Sequence, residues 1–218
     1  MKPPSAILFD WDNTLVDSWG CIQQAMNTTL SVMGHEIWDL TETKRRVALS
    51  MKDSFPTLFG DRWQEARDVF YGSFAAIHLT LLQPLPDAEA ILGRLVKAGI
   101  PLGVVSNKSG PFIRKEVDFL GWGPYFKHLV GAGDSAADKP SAIPAKFALD
   151  AMGVAANREV WFIGDAPVDM ECAANAGLHA LLVRHDEWSD SDFSHHPPAH
   201  RFQSWAAFDH FLDEILIP

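Results

Sequence analysis

A chain of 218 residues, 47% hydrophobic and 21% charged, has the make-up of a folded protein with one sizeable core, which excludes a disordered or fibrous chain. Its formal charge of −10 argues against nucleic acid or an anionic membrane as a partner, since both favour a basic surface. Cys21 and Cys172 stand far apart with no Cys/His ligand spacing, so neither a disulfide scaffold nor a zinc site is indicated, and a reducing compartment is expected.

The first apolar run, Ala6-Ile7-Leu8-Phe9, is too short for a signal peptide or a membrane span, which predicts a cytoplasmic protein. It stops at an acidic turn, as a strand buried on both faces of a parallel sheet would, with chemistry at its C-terminal end. The stretch that follows, residues 19–84, is far longer than a strand-to-helix connection needs. Ile22, Ala25, Met26, Leu30 and Met33 fall at helical spacing within it, as do Trp63, Ala66, Phe70, Phe74, Ile77 and Leu81. That pattern predicts an inserted helical bundle, with Pro84 and Pro86 marking the return to the core.

From there strands and helices alternate. Asp87 is expected to cap a helix bearing Ile91, Leu92, Leu95 and Val96, which Gly99 ends. Apolar runs at 101–105, 128–130, 160–163 and 180–183 read as strands, and amphipathic segments at 111–120, 144–152 and 204–216 read as helices. Residues 186–200, rich in Ser, Asp, His and Pro, read as a loop. The alternation predicts right-handed βαβ units and an α/β fold: a doubly wound parallel sheet formed by residues 1–18 plus 85–218, with 19–84 as a helical insertion.

In such a sheet the C-terminal strand ends converge on one crevice. They carry Asp10-Trp11-Asp12-Asn13-Thr14, Ser106-Asn107, Lys139-Pro140, and Asp165 with Asp169 four residues on. A cap explains one aspartate at the first turn. A second at Asp12 repels it unless a cation or a function compensates. Asp165 and Asp169, at i and i+4, would face the same side of an incipient helix, an arrangement that suits a hard cation.

In their order these motifs resemble those of the haloacid dehalogenase superfamily, whose first motif is Asp-x-Asp-x-Thr after a hydrophobic strand, and the segment Leu15 to Ser18 resembles its phosphoglycolate phosphatase branch. The resemblance spans nearly the whole chain and makes the helical insertion the superfamily's cap domain. It implies a magnesium-dependent phosphatase acting on a small phosphorylated metabolite, with an aspartyl-phosphate formed on Asp10. Asp12 would protonate the leaving oxygen and then activate water. Ser106, Asn107, Thr14 and Lys139 would meet the phosphoryl group, with Lys139 also restraining Asp10. Magnesium would be held by Asp10, the backbone carbonyl of Asp12, Asp165 and Asp169, the last as a ligand or as a support behind one.

Trp11 and Asn13 depart from the commonest form of the motif, which bears on substrate choice rather than on the chemistry. Asn13 should tolerate a positive φ in that turn. Lys44-Arg45-Arg46 reads as a solvated helix face, and His195, His196 and His200 as a surface loop rather than a metal site. A sugar phosphomutase of the same superfamily and a non-catalytic binding module are the competing readings. The complete catalytic set disfavours the module.

Overall fold

The computed structural model describes residues 2–47 and 51–216. In chain order its elements are β1 (Ala6–Phe9), β2 (Val16–Asp17), α1 (Trp19–Met33), α2 (Leu40–Arg46), α3 (Met51–Phe59), α4 (Trp63–Leu81), β3 (Gln83–Pro84), α5 (Ala88–Lys97), β4 (Leu102–Ser109), α6 (Gly110–Leu120), β5 (Phe126–Ala132), α7 (Ile143–Met152), β6 (Val160–Gly164), α8 (Pro167–Ala176), β7 (His179–Val183), β8 (His200–Phe202) and α9 (Trp205–Ile215). The chain divides into two compact units, Met1–Val16 with Pro84–Pro218, and Asp17–Gln83. β2 and β3 form a two-stranded ribbon where the chain passes from one to the other and back.

In the first unit the sheet runs β5-β4-β1-β6-β7-β8 and every neighbouring pair is parallel, the doubly wound α/β architecture expected from the alternation. Both faces are covered, which is why β1 and β6 are apolar without interruption. Leu8, Val105 and Phe162 pack with Ala148, Leu149 and Ala173 of α7 and α8. Phe9 points the other way, its ring centroid 5.9 Å from that of Trp205 on α9, and Trp161, which pairs with Ile7, meets Phe208 at 6.3 Å.

The second unit is helical. Ala66, Phe70, Phe74 and His78 repeat every four residues along α4, forming the buried stripe that faces Cys21, Ala25, Met26, Thr29, Leu30 and Met33 of α1. Phe55 stands edge-on to Phe70, and Phe74 stacks on His78. Lys44, Arg45 and Arg46 lie on α2, where Arg45 and Arg46 are exposed and both pair with Glu42, while Lys44 is half-buried over the Trp19 ring and Arg46 also lies over that of Trp38.

Three local expectations are revised. Residues 186–200 were expected to be loop throughout, yet β8 begins at His200 and adds a sixth strand beside β7. Asp87 precedes α5 with φ 64° and ψ −4°, and its side chain makes no cap bond; the left-handed backbone replaces the extended one a cap requires. β4 runs on to Ser109, because the chain leaves register with β5 after Val105 and rejoins it at Ser109 opposite Ala132. Among the described residues, no helix is long and apolar enough to cross a membrane.

Candidate active site

Four strand ends of the first unit build the site. Asp10 follows β1 and its amide donates to the Ile163 carbonyl at 2.8 Å. The chain then turns sharply: the amides of Leu15 and Val16 both donate to the Trp11 carbonyl, and Asn13 holds φ 59°, the left-handed backbone expected of it. Thr14 is fully buried in this turn, its hydroxyl donating to Asp165 Oδ1 at 3.2 Å while its carbonyl accepts from the Trp205 indole at 2.9 Å.

Ser106 and Asn107 occupy the irregular interval of β4, where ladder pairing is suspended. The Ser106 hydroxyl accepts from the Lys108 amide at 3.3 Å. Asn107 clamps the peptide backbone of Lys139 at both ends, accepting from its amide at 2.8 Å and donating to its carbonyl at 3.0 Å. The loop after β5 is thereby fixed to β4, and the lysine side chain enters the cluster.

Lys139 is the centre of the charge arrangement. Its ammonium lies 2.7 Å from Asp10 Oδ1 and donates to Asp169 Oδ1 at 2.6 Å, with the lysine side chain 2% exposed. Apart from this ammonium, the buried Asp10 Oδ1 meets no hydrogen-bond donor. Asp169 is completely buried, and its second oxygen accepts from the Ala166 amide at 3.0 Å. Gly164 makes room for it: a Cβ there would sit 2.3 Å from Asp169 Oδ2.

Asp10, Asp165 and Asp169 each bring an oxygen within 4.8 Å of the others, the one group of three potential ligands among the described residues. Three carboxylates against the single ammonium of Lys139 leave a formal −2 in a buried space, the charge a divalent cation would cancel. The titration of the groups reflects that shortage. Burial, opposed by Lys139 and helped by Asp169, pushes Asp10 up to about 6. Asp165 is pushed well above the usual carboxylate range by burial, then by Asp169 and Asp10. Burial works to lower the Lys139 ammonium, but Asp10 and Asp169 outweigh it and the net shift is upward. The donor set therefore fits a hard divalent ion with oxygen ligands. His195 is exposed and His196 half-buried, apart from this cluster.

The structure adds a group that the motifs do not announce. Asp12 pairs with Lys108, which pairs with Glu116 on α6, and Glu116 also accepts from the Trp11 indole. The available signal was a charge inside an apolar stripe, since Ile113, Glu116 and Val117 are the buried face of α6. Trp11 is turned into the core, edge-on to Trp122 at 5.8 Å, and the departure from the common motif thus serves packing and Glu116.

Residues 7–183 match the model of the haloacid dehalogenase-like hydrolase family. A protein of Rhodospirillum rubrum named phosphoglycolate phosphatase is 31% identical over 192 residues, covering 83% of this chain and 79% of its own. One of the same name from Xanthomonas campestris is 31% identical over 187 residues, 84% of each chain. Among solved structures, a hydrolase of that superfamily from Ehrlichia chaffeensis is similar over the full length of both chains with a TM-score of 0.69 and 27% identity. A hydrolase from Pseudomonas syringae shares the fold with a TM-score of 0.81 at 17% identity, covering 97% of this chain and 99% of that one.

Proposed function

The chain belongs to the haloacid dehalogenase-like hydrolase family and is a phosphohydrolase; from that premise we propose that it cleaves small phosphomonoesters with magnesium, through a phosphoryl group carried on Asp10. The observation that supports this most directly is the Lys139 ammonium set between Asp10 and Asp169 inside a cluster still short of two positive charges.

A carboxylate oxygen of Asp10 attacks phosphorus, and the bond from phosphorus to the ester oxygen breaks with its electron pair leaving on that oxygen. Asp12 supplies the proton, so an alcohol departs and Asp12 is left as carboxylate. In the second half that carboxylate takes a proton from water, whose oxygen attacks phosphorus and displaces Asp10. Lys139 offsets charge on the transferring group, and the Ser106 hydroxyl donates to a phosphoryl oxygen. Asn107 keeps the lysine loop where it is, and Thr14 orients Asp165. Asp10, the Asp12 carbonyl and Asp165 would hold magnesium, which when bound neutralises carboxylate and phosphoryl oxygens. Asp169, with both oxygens engaged by Lys139 and the Ala166 amide, serves as the support for the lysine. The helical insertion, residues 19–84, is assigned the selection of substrate.

The names of the relatives make 2-phosphoglycolate the first compound to assay, within a panel of phosphorylated metabolites. The two buried free thiols suit a cytoplasmic setting. Phosphate release should stop in EDTA and return with magnesium, and magnesium should raise the melting temperature, since a ligand of the folded state stabilises it. Asp10→Asn should abolish release. Turnover unaffected by chelation or by Asp10→Asn would refute the proposal, and interconversion of sugar phosphates without net release would identify a mutase instead.

A further inference from the structure

Asp12, the proposed proton carrier, is tied to a second buried charge network distinct from that of Lys139. Lys108 Nζ donates to Asp12 Oδ1 at 2.7 Å and to Glu116 Oε2 at 2.7 Å. The same Glu116 oxygen accepts from Trp11 Nε1 at 2.6 Å. The Lys108 side chain is 6% exposed and that of Glu116 1%. Trp11 is itself immobilised, edge-on to Trp122 and to Phe126 with ring centroids 5.8 and 6.3 Å away. Each member therefore fixes the next, from a rigid aromatic platform to the carboxylate at position 12.

Such a network is not an economical way to fold. Removing two charges from water is costly, and well-packed apolar residues of similar volume serve a core as well or better. Its position, ending on Asp12, suggests a use. An ammonium offers only donors, so the oxygen of Asp12 that it meets must accept. When Asp12 carries a proton, that proton is thereby confined to the other carboxyl oxygen.

We propose that Lys108 and Glu116 are positioning residues for Asp12: Lys108 ties down Oδ1 so that proton exchange with the leaving oxygen and with water runs through Oδ2, and Glu116, held by Trp11, keeps the ammonium in place. The proposal rests on the phosphatase reading given above. It separates Lys108 from Lys139, the lysine that faces the nucleophile. It also gives the unusual Trp11 a part in the chemistry through the bond its indole makes.

The test compares an ester that needs a proton on departure with one that does not. Wild type, Lys108→Met, Lys108→Arg and Glu116→Gln are assayed for kcat/KM on an alkyl phosphate and on p-nitrophenyl phosphate, both measured on one preparation so that the folded fraction cancels in the ratio. A general acid contributes on the order of 100-fold or more to departure of a poor leaving group. In Lys108→Met the alkyl ester should lose at least about tenfold more than the aryl ester, with a smaller shift the same way in Glu116→Gln and partial recovery in Lys108→Arg. Glu116→Gln keeps an acceptor for the Trp11 indole, and it carries the comparison if Lys108→Met does not accumulate. An unchanged alkyl-to-aryl ratio in a variant, while wild type hydrolyses both esters, would reduce Lys108 to neutralising Glu116 and overturn the proposal alone. If wild type releases phosphate from neither ester nor from any metabolite of the panel, the phosphatase reading falls and this proposal with it.

Discussion

Among the described residues, the same side-chain device occurs in each unit of the molecule. Asn107 clamps the amide and carbonyl of Lys139 in the α/β unit; Asn27 clamps Trp38 in the helical unit, accepting from its amide at 2.9 Å and donating to its carbonyl at 2.8 Å. Ion pairs repeat the contrast. Lys139 with Asp169 and Arg45 with Glu42 are almost equally close, 2.6 and 2.7 Å, but the first pair is buried and the second is 66% and 29% exposed. Distance alone therefore says little about importance. What differs is whether water can replace the partner when it is removed, and whether the group so held has chemistry to perform.

The largest effect should follow Lys139→Met. It strands two buried carboxylates, and breaking a buried pair from one side costs about 3–5 kcal/mol, so the melting temperature should fall steeply. Turnover should drop on the order of 100-fold or more as a charge near the transferring group disappears. A variant that keeps wild-type stability would mean that water reaches Asp10 and Asp169, erasing the contrast with the exposed pairs. Gly164→Ala comes next. The new Cβ must displace the Asp169 carboxylate, an overpacking that costs about 1–3 kcal/mol, and the displaced carboxylate takes Lys139 with it. Activity should therefore fall more than stability does, read as kcat against thermal denaturation of the same sample.

A matched pair of smaller changes sharpens the comparison. Asn107→Ala removes both halves of a backbone clamp, whereas Asn27→Ala strands only the Trp38 amide, since the Trp38 carbonyl keeps its bond from the Gln23 side-chain amide at 3.2 Å; each peptide group left unpartnered costs about 1–3 kcal/mol where water cannot take over. Both should lower the melting temperature, Asn27→Ala by less. Only Asn107→Ala should depress kcat beyond its effect on folded fraction, because only that clamp carries a charged side chain to the proposed reaction. Equal kcat values per folded molecule would contradict the role given to Asn107.

Legibility in the sequence divides along the same line. The buried strands could be read because burial on both faces demands uninterrupted apolar runs, and Ala6 to Phe9 and Val160 to Ile163 obey that demand locally. Asp10 and Asp12 stood out because two acids in one tight turn repel each other unless a cation or a function compensates, whereas Ser106, Asn107 and Lys139 were legible only through the order of motifs that resembles the haloacid dehalogenase superfamily. β8 was not legible: His200, Arg201 and Phe202 owe their strand geometry to pairing with Leu181, Leu182 and Val183, which is information held elsewhere in the chain. Lys108 was missed because it has no local signature, and Glu116 because its place in the stripe of Ile113 and Val117 is a weak one. Lys108 is a lone lysine, and Glu116 reads as an exposed helix residue until α6 is docked with that face inward. The trade made by Asp87, a left-handed backbone instead of a side-chain cap, depends on how the chain enters α5 from the ribbon.

The smallest effect is expected from Glu42→Gln, and it tests the exposed side of the comparison. Arg45 and then Arg46 hold the Glu42 carboxyl far down, to about 2, so the charged form is the one their contact favours. Whatever the cluster contributes is present above the ordinary value of 4.5 and is lost as pH falls towards 2. Yet all three side chains are open to solvent, where water and salt screen the attraction and long side chains lose rotamer freedom by pairing. The helix start does not depend on the charge either, since Asp39 caps α2 by accepting from the backbone amide of residue 42 at 2.7 Å, a bond glutamine retains. At physiological salt the melting temperature of Glu42→Gln should match wild type within error, with a slight fall only at low ionic strength. A loss as large as that in Asn27→Ala would show that the exposed charges hold the helical unit together, and burial would no longer be what separates the two regions.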